Sequence, residues 1–147
     1  EVGNYIMLPI PVAVKGFQCS FQSVPQGNFD IVLYEGTTAL VTVSVDYNQL
    51  DAYYRGHDFP FAETTLSANT AYRVCVKPTS ASNVHLSDLS YLSAATLDSQ
   101  PLGQNSHKTS RSDGGSLTED TTNRIYGLSL LASKFENGIH TPRLRRV

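Results

Sequence analysis

The residues best suited to chemistry lie between Asp46 and Phe61, where Tyr47, Asn48, Gln49, Asp51, Tyr53, Tyr54, Arg55 and His57 follow one another with little apolar patterning. Aromatic rings pack on the apolar face of a sugar while amides, acids and a guanidinium reach its hydroxyls, and the same residue types are favoured where proteins meet. Tyr47, Asn48, Tyr53, Tyr54, Arg55 and His57 are therefore the candidate binding residues, for a glycan or for a neighbouring subunit. The competing reading is that these tyrosines close the open end of the fold.

Catalytic chemistry finds less support. None of the four histidines, His57, His85, His107 and His140, has a second His or a Cys at metal-ligand spacing. His57 and Asp58 come nearest to a pair, but adjacent residues of an extended segment point to opposite faces. The chain contains no G-x-S-x-G, H-E-x-x-H or G-x-x-x-x-G-K-[ST] motif. Asp113, Glu119 and Asp120 flank a Gly-Gly turn without the regular spacing of a calcium loop. No catalytic residue, metal site or cofactor is expected, and the chain reads as non-enzymatic.

Charge is unevenly spread. The net charge is -2, yet residues 134–147 carry Lys134, Arg143, Arg145 and Arg146 against Glu136, a balance of +3. The remainder holds seven basic and twelve acidic residues, a balance of -5, which argues against nucleic-acid binding by the body. The tail is either an arm that docks on an acidic neighbour, through Lys134, Arg143, Arg145 and Arg146, or a solvated terminus. The division expected is a single domain over residues 1–133 and a basic C-terminal arm over 134–147. The most apolar run, Ile6 to Val14, is broken by Pro9 and Pro11 and is well short of the ~20 residues a membrane span needs.

The elements that position these groups read as strands. Phe29, Ile31 and Leu33 alternate with Asp30, Val32 and Tyr34, and Glu35-Gly36-Thr37-Thr38 turns the chain into Ala39, Val41, Val43 and Val45, a hairpin. Upstream, Val12 to Phe21 forms a strand with Gly16 at a bulge, and Tyr5 to Ile10, punctuated by proline, is assigned to an edge or a lead-in. Phe59-Pro60-Phe61 reads as an edge strand. In Leu66 to Val76, Tyr72, Val74 and Val76 alternate with Arg73 and Cys75. Tyr72 is either a core aromatic or a tyrosine corner, its hydroxyl bonded to upstream backbone. Further strands are expected around Val84 to Tyr91 and over Arg124 to Leu131, the latter central, with one helical turn over Ser93 to Ser99. Gln100 to Asn123 is the most loop-like part and contains a polar hairpin turning at Ser112-Asp113-Gly114-Gly115. Cys19 and Cys75 are expected as structural, free thiols. The fold class is all-β, an antiparallel β-sandwich of about eight strands, immunoglobulin-like or jelly-roll-like with Greek-key connections.

Leu66 to Leu131 resembles a β-sandwich domain of structural proteins from bacteriophages and prophages. The likeness rests on the Leu66-to-Arg73 run, Pro78-Thr79-Ser80-Ala81-Ser82-Asn83-Val84, Ser93-Ala94-Ala95-Thr96-Leu97, Pro101-Leu102-Gly103 and Thr109-Ser110-Arg111-Ser112-Asp113-Gly114-Gly115. It implies a virion component, capsid-decorating or tail- or fibre-associated, whose partners are other virion subunits, in a homo-oligomer or as repeated copies on a larger assembly. The alternative expectation is a carbohydrate-binding or adhesion module that takes host-surface glycans through the Tyr47–Tyr54 loop.

Overall fold

Side chains that alternate between apolar and polar commit most of this chain to extended backbone, since period-2 patterns bury one face of a strand and leave the other to solvent. The computed structural model describes residues 1–50, 56–79, 84–86, 88–90, 106–112, 115–120 and 124–135. The strands are β1 (Val2–Met7), β2 (Val12–Ser20), β3 (Phe29–Glu35), β4 (Thr38–Val45), β5 (Gly56–Leu66), β6 (Ala71–Pro78), β7 (Asp88–Ser90), β8 (Ser106–Ser110), β9 (Thr118–Asp120), β10 (Arg124–Tyr126) and β11 (Leu128–Phe135). They form a six-stranded sheet in the order β4-β3-β6-β1-β8-β9, a three-stranded sheet β11-β2-β5, and the pair β10-β7. Every pairing is antiparallel. Among the described residues no helix is long and apolar enough to cross a membrane.

The all-β antiparallel sandwich is thus the architecture, with eleven described strands in place of the expected eight or so. The difference comes from short elements. Gln100 to Asn123, assigned to loop with a polar hairpin, contributes β8 and β9 to the large sheet. The segment expected as one central strand from Arg124 breaks at Gly127 into β10, which pairs with β7, and β11, which is the edge of the three-stranded sheet. A second correction concerns the first strand. The prolines of Tyr5 to Ile10 point to an edge or a lead-in, but β1 ends at Met7, so Pro9 and Pro11 fall outside its ladder and β1 runs between β6 and β8. β11 continues through Lys134 and Phe135, which pair with Ala13 and Val12, so the ladder carries two residues assigned to the arm. The helical turn expected over Ser93 to Ser99 lies outside the described residues.

The inner faces of the two large sheets meet over Phe17, Cys19, Phe29, Ile31, Leu33, Leu66, Tyr72, Val74 and Val76, all buried. Each fully buried large side chain contributes about 1.5–3 kcal/mol, which makes this cluster the main stabilising feature. Local details follow the sequence. The β3–β4 hairpin turns at Gly36, whose φ of 57° suits a residue without Cβ. Both neighbours of β2 change register between Val14 and Gly16, the bulge expected there. Pro60 does sit in an edge strand, β5. Tyr72 proves to be both things the sequence allowed. It is 1% exposed, and its hydroxyl accepts a hydrogen bond from the Ser67 N–H at 2.8 Å across the β5–β6 turn.

One polar side chain points into this core. Asn4, 2% exposed on β1, donates through Nδ2 to the carbonyls of Tyr126 (2.8 Å) and Leu128 (2.7 Å) and accepts the Tyr126 N–H at Oδ1 (2.8 Å). It ties the large sheet to the corner at Gly127, where the chain leaves β10 for β11.

Candidate functional site

Among the described residues two arrangements bring chemically capable side chains together, and the first lies at the two ends of the stretch between Asp46 and Phe61. β4 ends at Val45, and Asp46 caps a single 3-10 turn, Tyr47–Gln49, by accepting the Asn48 N–H at 3.0 Å. Such caps are favoured because the carboxylate satisfies an amide that the turn leaves unpaired. The turn is anchored from behind by Asn28. Its side-chain oxygen accepts the Tyr47 N–H at 3.3 Å, and its carbonyl accepts from both the backbone and the hydroxyl of Thr79. Facing the turn is the start of β5, and between them lies a cleft of about 260 Å³ lined by Ser44, Val45, Asp46, Gln49, Leu50, His57, Asp58 and Phe59.

The cleft's chemistry follows from strand alternation. His57 pairs with Cys19 and Phe59 with Phe17, so both share the core-facing side of β5. The imidazole lies 5.9 Å from the Phe21 ring and 6.4 Å from the Phe59 ring, centroid to centroid, which gives it an aromatic seat at the mouth of the sandwich. Asp58 belongs to the opposite face, where Oδ1 accepts from the Gln18 amide at 3.2 Å. The two do not act as one ligand pair, as alternation requires. Amide, carboxylate and imidazole groups around Leu50 and Phe59 suit a polyol that lays one apolar face down. Among the described residues no three His, Cys, Asp or Glu side chains come together as a metal site.

Of the candidate binding residues, Tyr47 is half-buried, Asn48 exposed and bonded to Asp46, and His57 half-buried in the cleft wall. Tyr53, Tyr54 and Arg55 lie outside the described residues, as do Arg143, Arg145 and Arg146 of the arm. Cys19 and Cys75 are both buried and free. Burial pushes both thiols up in pKa, Cys75 to about 11.

The second arrangement was not legible in the sequence. On the outer face of the large sheet, Arg73 of β6, Tyr5 of β1 and His107 of β8 stand in one row. The Tyr5 and His107 rings stack at 4.4 Å, and the Arg73 guanidinium lies 5.4 Å from the Tyr5 centroid. Glu119 of β9 accepts from Arg73 Nη2 at 2.6 Å and lies 3.2 Å from His107 Nε2. The hydrogen bond from Arg73, aided by the two nearby cationic or ionisable groups, holds the Glu119 carboxyl below its usual pKa. Arg73 Nε, His107 Nε2 and Thr109 Oγ1 are buried without an aligned hydrogen-bond partner, so the cluster has more polar capacity than its one carboxylate takes up.

Beside it, Glu1 accepts from Arg111 Nε and from the Tyr34 hydroxyl, and the Arg111 guanidinium lies 5.2 Å from the Tyr34 ring centroid. Burial works against the Glu1 carboxylate, but the bond and charge of Arg111 outweigh it and lower the pKa. This group covers Cys75, which clusters with Val32 and Tyr34 on the outer face. A close backbone approach is built in as well. A Cβ on Gly3 would stand 1.9 Å from the Val74 carbonyl oxygen and 2.6 Å from the Cys75 Cα, so only glycine fits. The one available signal was that Arg73 and Cys75 share a face; their partners come from strands 30 or more residues away in sequence.

Comparison with protein families, with curated proteins and with solved structures found no match to the chain.

Proposed function

We propose that this chain is a non-enzymatic structural protein of a virus particle, a β-sandwich that decorates a capsid or belongs to a tail or fibre and works through contacts with other subunits. The observation that carries the reading is the family-like segment from Leu66 to Leu131, together with the work its described landmarks perform. Leu66 is buried in the core, Tyr72 forms the corner with Ser67, Arg73 reaches Glu119, and Arg111 reaches Glu1. The test is direct. Mass spectrometry and immunogold labelling of purified particles of the encoding virus should find this protein in stoichiometric copies at one location, and its absence from particles would refute the reading.

The cleft beside the 3-10 turn favours a second reading, a module that binds host-surface glycans. Its polar groups, Asp46, Gln49 and His57, surround the apolar Leu50 and Phe59 at an open end of the sandwich. Glycan-array screening of the wild type and of His57→Ala, Tyr53→Ala and Tyr54→Ala tests it. Binding that all three substitutions leave unchanged removes this end of the molecule from consideration.

A further inference from the structure

The two large sheets present four edges, and three of them carry the devices by which edge strands avoid pairing with other chains. β9 has three residues, two of them the acids Glu119 and Asp120. β5 has Pro60 near its middle and the charges of Asp58 and Glu63. β11 changes register twice along its partner and carries Lys134. The fourth edge, β4, differs. Thr38-Ala39-Leu40-Val41-Thr42-Val43-Ser44-Val45 contains no charge, no proline and no glycine, and three of its eight residues are valines. Its single irregularity is at Leu40, left over between the Val41–Leu33 and Ala39–Tyr34 pairs and 40% exposed. From Val41 to Val45 it pairs regularly with β3 on one side, and among the described residues no strand pairs with it on the other.

We propose that β4 is the seam of a homodimer, pairing antiparallel with β4 of a second copy about a two-fold axis through Val43. The two six-stranded sheets then form one continuous sheet. The inference rests on the assembly reading for its biological setting and deepens it by naming the contact.

A second copy fits this edge for a chemical reason. In a two-fold antiparallel interface a residue close to the axis comes near its own copy, so a charge there is set beside its own kind and disfavours the pairing. β4 has none to repel. The axis through Val43 sets Val43 against Val43 and Val41 against Val45 on the core side, and Thr42 against Ser44 on the outer side. These are the β-branched and hydroxyl pairs that cross-strand ladders favour. Val41 and Val43 are only partly buried at the margin of the core, and a neighbouring strand covers their open side. Ser44 is already oriented by donating to Asp30 at 2.7 Å, and Thr42 and Ser44 are otherwise exposed.

The test uses the full chain in sedimentation and light scattering from about 1 µM to about 1 mM, which spans the affinities expected of a modest edge-to-edge dimer. The wild type should form dimers and nothing larger. Thr42→Lys and Ser44→Lys should each weaken the dimer at least tenfold with an unchanged thermal melt of the monomer, while Gln22→Lys, an exposed position away from the seam, should leave the dimer alone. A wild type that is monomeric throughout, a Thr42→Lys dimer as tight as the wild type, or open-ended association each overturns the proposal. Particle uptake separates it from the reading above. A wild type that dimerises through β4 but is missing from particles keeps the seam and refutes the virion role, whereas a monomeric wild type found in particles does the reverse.

Discussion

Removing the Asn4 side chain tests how the two sheets are joined. Its amide makes three hydrogen bonds of 2.7–2.8 Å, all to backbone on either side of Gly127, and it is 2% exposed. Each bond contributes about 1 kcal/mol net, and buried backbone groups stripped of a partner cost about 1–3 kcal/mol. Leu128 is buried but Tyr126 is only half-buried, so water can reach some of the groups that Asn4→Ala exposes. The expected loss is therefore about 3 kcal/mol, below the sum of three full penalties, and the melting temperature should fall by about 10 °C for a chain of this length. Asn4→Asp sharpens the test. Its oxygens keep the Tyr126 N–H but set negative charge against two carbonyls, so its folded pKa is raised. A raised pKa means stability that is present at low pH and lost as pH rises through the folded value. The aspartate variant should be less stable than the alanine variant at pH 7 and recover toward pH 4. Urea denaturation followed by circular dichroism at both pH values decides the matter. A loss below about 1 kcal/mol for Asn4→Ala, or an aspartate variant indifferent to pH, would refute the claim that this amide pins β1 to the β10–β11 corner.

Other outcomes follow from single contacts. Tyr72→Phe should cost about 1 kcal/mol in urea denaturation and no more, because the Ser67 N–H it abandons belongs to an exposed residue that water can reach. Gly3→Ala should cost at least about 3 kcal/mol, seen as loss of soluble folded protein, since its Cβ meets backbone on β6 and no side chain can give way. Both Glu1 and Glu119 have pKa values lowered by their arginine partners, so the stability they contribute is complete above the ordinary carboxylate range and is lost as pH falls through the lowered values. Melting temperature measured from pH 7 to 3 should fall in that window, and Arg111→Ala should flatten part of the fall. Cys19 and Cys75 should resist alkylation in the native state, and Arg111→Ala should speed the reaction of Cys75, whose outer cover it removes, while leaving Cys19 slow.

What the sequence disclosed is set by how local each feature is. The β3–β4 hairpin, the turn at Gly36, the bulge at Gly16 and the Tyr72 corner depend on residues within a few positions of one another, so patterning and turn chemistry were enough. The central place of β1 was hidden because Pro9 and Pro11 suggested an edge or a lead-in, although both lie just past its end. Asn4 and the Arg73–Glu119–His107 cluster were invisible for a different reason. Each depends on the register between strands far apart in the chain, and register is fixed by packing that no window of sequence contains. Of the residues marked by type, His57 lines the cleft while Tyr47 and Asn48 do not, and the apolar Leu50 and Phe59 and the anchoring by Asn28 come from the way β4 and β5 meet.

The large sheet is divided in how its polar groups are satisfied, and that division bears on where partners attach. Across β6, β1, β8 and β9 the outer face is closed by its own ion pairs and stacked rings, Arg73 with Glu119, Arg111 with Glu1, Tyr5 with His107. Apart from Arg73 Nε, His107 Nε2 and Thr109 Oγ1, which are buried without an aligned partner, a partner docking there meets charged groups already engaged with one another, and hydrogen bonds to charged groups are worth about 1.5–3 kcal/mol each. At the other end of the same sheet, β4 offers hydroxyls, valines and backbone amides, with nothing charged to displace on the strand. Association at β4 asks only that water leave the edge, so it is the less costly surface for a repeated contact. In the dimer proposed above, the β4 seam leaves the face that carries these ion pairs uncovered.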